Sequence, residues 1–103
     1  MSNQSSVRID GREYRLEFDF GLLIRAEEET RLNLLIALTH IDLASAGQLR
    51  GILAAVIWKH QPQVTLEQIG ALINPQSLPL IAAALAALFP EEEQPQETAA
   101  EAA

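Results

Sequence analysis

A chain of 103 residues with formal net charge −7 and no cysteine fits one domain that buries about 60–65% of its unfolded surface, and neither disulfides nor thiolate chemistry is open to it. The charge is unevenly placed: residues 90–103 hold Glu91, Glu92, Glu93, Glu97 and Glu101 with no base, while the rest of the chain carries nine acids against seven bases. No basic stripe exists to neutralise phosphates, so no nucleic-acid partner is expected.

The opening "MSNQSS" has neither the basic n-region nor the apolar h-region of a signal peptide, and residues 1–6 are expected to form a flexible lead-in. A hairpin follows in "VRIDGREYRLEF", residues 7–18. Asp10-Gly11 between two alternating segments suits a two-residue type I′ turn, whose central residues both need φ > 0. That turn pairs Ile9 with Arg12, Arg8 with Glu13 and Val7 with Tyr14. Alternation then gathers Val7, Ile9, Tyr14, Leu16 and Phe18 on one face, expected to pack on the helices that follow. The outer strand edges remain open to a further strand.

Asp19 is placed to cap a helix over residues 20–29 with Phe20, Leu23 and Ile24 on one side. Glu27, Glu28 and Glu29 fall near its C-terminus, where the helix dipole disfavours negative charge. They read either as a solvated turn or as an acidic patch for a partner. "TRLNLLIALTH" predicts a short helix with Leu32, Leu35, Ile36 and Leu38 on its apolar side, ending near His40.

"ASAGQLRGILAAVIWKH" is the clearest helix. Ser45 and Gln48 make a capping box, and Lys59 and His60 lie at the end where cations help. Leu49, Ile52, Leu53 and Val56 follow helical spacing, while Ile57 and Trp58 widen the apolar surface beyond one stripe, as in a central core helix. The Trp58 indole is expected to be buried. Thr65 and Gln68 form a second capping box before Leu66, Ile69, Leu72 and Ile73. Ser77 is placed to cap the last helix, with Pro79 tolerated in its first turn.

That last helix, residues 78–89, has no polar side chain other than its cap. Helices apolar all round are normally buried on all sides. Either part of this one is an oligomer or partner surface, or it is buried and exposes a few alanines. The uncharged run over 68–90 is broken by Asn74, Pro75, Gln76, Ser77 and Pro79, too polar for a membrane span. Residues 90–103, rich in Glu, Pro, Gln and Ala, are expected to be a disordered acidic tail. The domain is therefore expected over 7–89, with an α+β, mostly α fold: an N-terminal β-hairpin packed on a small bundle of four to five short helices.

No catalytic constellation is present. His40, His60 and Asp42 match no metal-ligand spacing, Ser45 and Ser77 read as caps and not as nucleophiles, and the helical glycines form no phosphate loop. Neither enzyme activity, a cofactor nor a metal is expected.

The order of features is more informative: an Asp-Gly hairpin, "LEFDFGLLIRAEEETRLNLL", "LRGILAAVIWKHQP", "VTLEQIGALI", an alanine-rich helix and an acidic tail. Over residues 7–89 this resembles the small tail assembly chaperone family of long-tailed phages and gene transfer agents. The more specific elements are the acidic-then-Thr segment at 27–32 and the Trp58-to-Ile73 join. One departure is Arg31, where such proteins often have Gly.

The resemblance implies a non-enzymatic protein of phage or prophage tail morphogenesis, acting in the cytoplasm of the bacterial host. It would hold the helical tape measure protein, keep it from aggregating, and leave as tail tube protein, a second possible partner, polymerises. The candidate partner-binding residues are Leu78, Leu80, Ile81, Leu85, Leu88 and Phe89, with Leu66 and Ile73. Homo-oligomerisation is also expected. The alternative is a self-associating structural tail or adaptor subunit retained in the particle.

Overall fold

Asp10 and Gly11 take φ of 54° and 77°, the backbone that a type I′ turn requires. In the computed structural model, which describes residues 4–89, this turn joins β1 (Gln4–Ile9) to β2 (Arg12–Glu17) in a two-stranded antiparallel sheet. Ile9 pairs with Arg12, Arg8 with Glu13 and Val7 with Tyr14, the register expected from the turn. Pairing continues to Gln4 opposite Glu17, so residues 4–6 are strand and not flexible lead-in. The Gln4 amide secures this end, donating to Glu17 Oε1 at 3.2 Å and accepting from the Arg15 guanidinium at 3.3 Å. Residues 1–3 and the expected acidic tail, 90–103, lie outside the described residues.

Five α-helices follow: α1 (Phe20–Thr30), α2 (Leu34–Thr39), α3 (Ala46–Ile57), α4 (Leu66–Leu72) and α5 (Leu78–Leu88), with a 3-10 turn at Ile41–Leu43 before α3. The architecture is α+β and mostly helical. Val7, Ile9, Tyr14 and Leu16 are buried and Phe18 half-buried. Through these side chains β1 lies on α5 and β2 on α3.

The central helix is α3. Both halves of its Ser45–Gln48 capping box form, and every residue from Gly51 to Trp58 is buried. It packs against α1, α2, α4 and β2. The Trp58 indole N–H donates to the Val64 carbonyl at 2.6 Å, and the Arg25 guanidinium stacks 4.3 Å above the ring. The Thr65–Gln68 box starting α4 is likewise complete.

Two expected helix faces are rotated. In α1, Asp19 Oδ1 accepts from the Leu22 amide as anticipated, but Leu23 and Ala26 are buried while Phe20 and Ile24 are exposed. Small Ala26 lets α1 approach α3, so the inner face is Leu23 and Ala26 with half-buried Leu22 beside them, an i, i+3/i+4 set. In the next segment Thr30 belongs to α1, and Arg31 ends it in the left-handed region at φ 62°. A non-glycine residue there costs about 1–2 kcal/mol. Asn33 then caps α2 by accepting from the Ile36 amide at 3.1 Å. Starting the helix four residues later changes its phase: Leu34 and Ala37 are inside, whereas Leu35 and Ile36 face out.

Ser77 also differs from expectation. It makes no cap bond to α5; buried instead, it donates to the Leu72 carbonyl at 2.6 Å and accepts from the Asn74 amide at 3.0 Å. It fastens the α4–α5 turn together with Asn74 Oδ1, which accepts from the Gln76 and Ser77 amides. Glu27 is neither free nor part of a patch. Its carboxylate accepts from the Leu34 and Leu35 amides at 2.9 and 3.0 Å, joining the end of α1 to the start of α2.

Three polar contacts in step clamp the hairpin to the end of α3. Gln61 bonds both the amide and the carbonyl of Arg15, at 2.9 and 3.0 Å. His60 Nε2 lies 2.9 Å from Glu17 Oε1, and Lys59 Nζ donates to Asp19 Oδ2 at 3.1 Å.

Leu34 sits in the notch left by Gly51, where an added Cβ would come within 2.8 Å of its methyl carbons. Alanine gains about 1 kcal/mol in helix propensity but overpacks a fully buried side chain, at about 1–3 kcal/mol. Gly51→Ala is therefore expected to lower stability by about 1 kcal/mol, read from the urea midpoint.

The hydrogen bond from Lys59, aided by the Leu22 amide, holds the Asp19 carboxyl below its ordinary value, and the same bond raises Lys59. A lowered carboxyl contributes stability above its unfolded pKa and loses it as pH falls through the folded one. A raised ammonium contributes below its unfolded pKa and loses it as pH climbs through the folded one. The pair is thus intact across neutral pH and is lost below about pH 4 and above about pH 10. Asp19→Asn should show a small Tm deficit, constant from about pH 5 to 8 and shrinking below about pH 4, as followed by circular dichroism.

Candidate functional site

The eight residues singled out from sequence divide three ways. Ile81, Leu85 and Leu88 are buried in the core, so most of their surface is unavailable to a partner. Phe89 is half-buried with its ring edge-on to Phe18 at 5.2 Å, and Leu66 and Ile73 are half-buried against the core. Leu78 and Leu80 are 42% and 51% exposed. The last helix is thus covered on one side by the hairpin. On the other it presents Ala82, Ala83, Ala86 and Ala87.

Along that open side runs an apolar groove of about 500 Å³. One wall is α5 with the Phe89 that follows it, through Leu78, Ala82 and Ala86, with Leu85 also lining it; the opposite wall is Leu38, Ile41, Ala44 and Leu49. Asp42 is the one charged lining residue. Leu43, 75% exposed, lies in the 3-10 turn that supplies this wall. Alanines on one side and branched side chains on the other leave room for the side chains of an inserted apolar segment. The volume is of the order of known ligand clefts, roughly 300–1,000 Å³, and the lining offers packing with little chemistry.

The second wall was not anticipated. Its residues straddle a helix end, a 3-10 turn and a helix start, and share no single period. The one sequence signal was Ile41-x-Leu43, apolar residues beyond the end of a helix with no polar partner face.

The two histidines are engaged elsewhere. His40 Nδ1 lies 3.0 Å from the Thr39 hydroxyl and His60 contacts Glu17. Among the described residues no group of three His, Cys, Asp or Glu side chains is placed to hold a metal, and no helix is long and apolar enough to cross a membrane. Compared with protein-family models, curated proteins and solved structures, the chain gives no significant match.

An environment-sensitive apolar dye is expected to bind the native protein in the groove. Ala82→Glu, at an exposed position where substitution shifts stability by no more than about 0.5 kcal/mol, should remove most of the dye fluorescence. Gln63→Glu, on an exposed turn outside the groove's lining, should leave it unchanged.

Proposed function

We propose that this chain is a non-enzymatic tail assembly chaperone of a phage, prophage or gene transfer agent, working in the bacterial cytoplasm. Its groove receives apolar faces of the tape measure protein's long helices. The observation that carries this reading is the apolar groove between α5 and the 38–49 segment, with a single charged lining residue, on a domain too small to spare such a surface for nothing. A groove of this kind suits the helix-in-groove mode, in which residues at i, i+3, i+4 and i+7 of the guest anchor the complex. It also fits a holding role: packing without catalytic groups binds many similar apolar stripes along a long guest.

A structural tail subunit retained in the particle is the second reading, favoured by the uncovered edge of β1. Mass spectrometry of purified particles separates the two, because a chaperone leaves before completion.

Binding of tape measure fragments by Leu78→Glu and Ala82→Glu proteins tests the site. Both positions are exposed, so folding is expected to survive the change, and each is expected to weaken capture about tenfold or more, the effect of burying an unpaired charge at a hot spot. Ile24→Glu, an exposed apolar position on α1, should bind as the unaltered protein does. Equal capture by all three would remove the groove from consideration.

A further inference from the structure

The hairpin's two edges are treated differently. Next to a two-residue turn the flanking pair, Ile9 with Arg12, is hydrogen-bonded, and such pairs alternate along the ladder. The register therefore leaves the amides and carbonyls of Gln4, Ser6 and Arg8 pointing outward from β1, and those of Glu13, Arg15 and Glu17 outward from β2. On β2 this outward pair is closed: Gln61 occupies both backbone groups of Arg15 like a short piece of strand. On β1, among the described residues, nothing bonds to the outward amides of Ser6 and Arg8.

Nor does β1 carry the devices that usually protect an edge. It has no proline, lysine or bulge. Its one cation, Arg8, is turned back on its own hairpin, donating to the Gly11 carbonyl at 3.1 Å and lying 4.0 Å from Glu13. Beside this edge is a shallow depression of about 510 Å³ lined by Ser5, Ser6, Leu80 and Ala83.

We propose that the occupant of this edge is a second copy of the chain, with the two β1 strands antiparallel about a two-fold axis at Ser6. The sheet becomes four-stranded and the exposed Leu80 and Ala83 flank the join. Strand chemistry and charge select this register. It opposes Ser6 to Ser6, and Gln4 to Arg8 of the second copy, so every outward-pointing residue of β1 is paired. On the solvent face the rows then read Glu13, Arg8, then Gln4 and Glu17 of the second copy, which places each Arg8 between carboxylates of both hairpins. Sliding to oppose Ser6 with Arg8 strands Gln4, and centring on Arg8 sets two like charges face to face, which destabilises a strand pair. The inference rests on the hairpin alone and stands whatever the groove binds.

Size exclusion with light scattering, run on the full chain over rising concentration, tests it together with two substitutions. The mass is expected to rise from one chain to two. In a chain without cysteine, Ser6→Cys should form an inter-chain disulfide on mild oxidation, since opposed Cα atoms in a hydrogen-bonded antiparallel pair lie about 5.5 Å apart, within disulfide reach. Glu13→Cys, on β2, should not. Ser6→Lys sets two ammonium groups opposite each other on the axis. It should keep the monomer's thermal unfolding and return the mass to one chain. A monomer at every concentration, cross-linking of Glu13→Cys as fast as Ser6→Cys, or a dimer that survives Ser6→Lys would each overturn the proposal.

Discussion

The fold depends on the apolar face of the hairpin. Two strands alone are marginal in water, and the last helix meets the rest of the protein mainly through β1. Val7, Ile9, Tyr14 and Leu16, all buried, answer both problems: each contributes about 1.5–3 kcal/mol on burial, and together they cover α3 and α5 at once. The ladder of Gln61, His60 and Lys59 against Arg15, Glu17 and Asp19 then fixes where that face lies. The apolar contact supplies the affinity and the polar ladder the alignment.

This arrangement accounts for the composition of α5. A helix with no polar side chain looks overburied for so small a domain, yet each of its sides has a use in the structure. Ile81, Ala84, Leu85 and Leu88 go inward, Leu78, Ala82 and Ala86 line the groove, and Leu80 and Ala83 border the free strand. Alanine on the outer sides keeps the exposed apolar area small while leaving the walls low enough for another chain to approach.

What was legible in the sequence was local. Asp10-Gly11 specifies a turn, and the turn specifies the register; Ser45–Gln48 and Thr65–Gln68 each carry a complete capping signal; the apolar surface of α3 extends well beyond one stripe because the helix is central. The misread stretch, residues 30–40, has neither Gly nor Pro to mark the break between α1 and α2. Arg31 takes the left-handed backbone that glycine adopts more easily, and Asn33, which looks like helix interior, is the cap. Glu27 was opaque for a related reason: its bonds reach seven and eight residues ahead, across a turn whose geometry had to be known first. At the candidate site, hydrophobicity located the correct helix without showing which side faced in. The opposing wall depends on tertiary packing that no local period encodes.

The hairpin and α5 stand at opposite ends of the described chain, and that has a consequence for biosynthesis. A ribosome delivers the hairpin first and its covering helix last. β2 acquires a neighbour when α3 emerges, but the side of the hairpin that meets α5 stays wet until nearly the whole domain has been released. Closure is then a contact between residues some 75 apart (Val7 and Ala84, for instance, which line the same depression), and its entropic cost grows only logarithmically with that separation. Until then the nascent chain carries an uncovered strand face beside an uncovered strand edge.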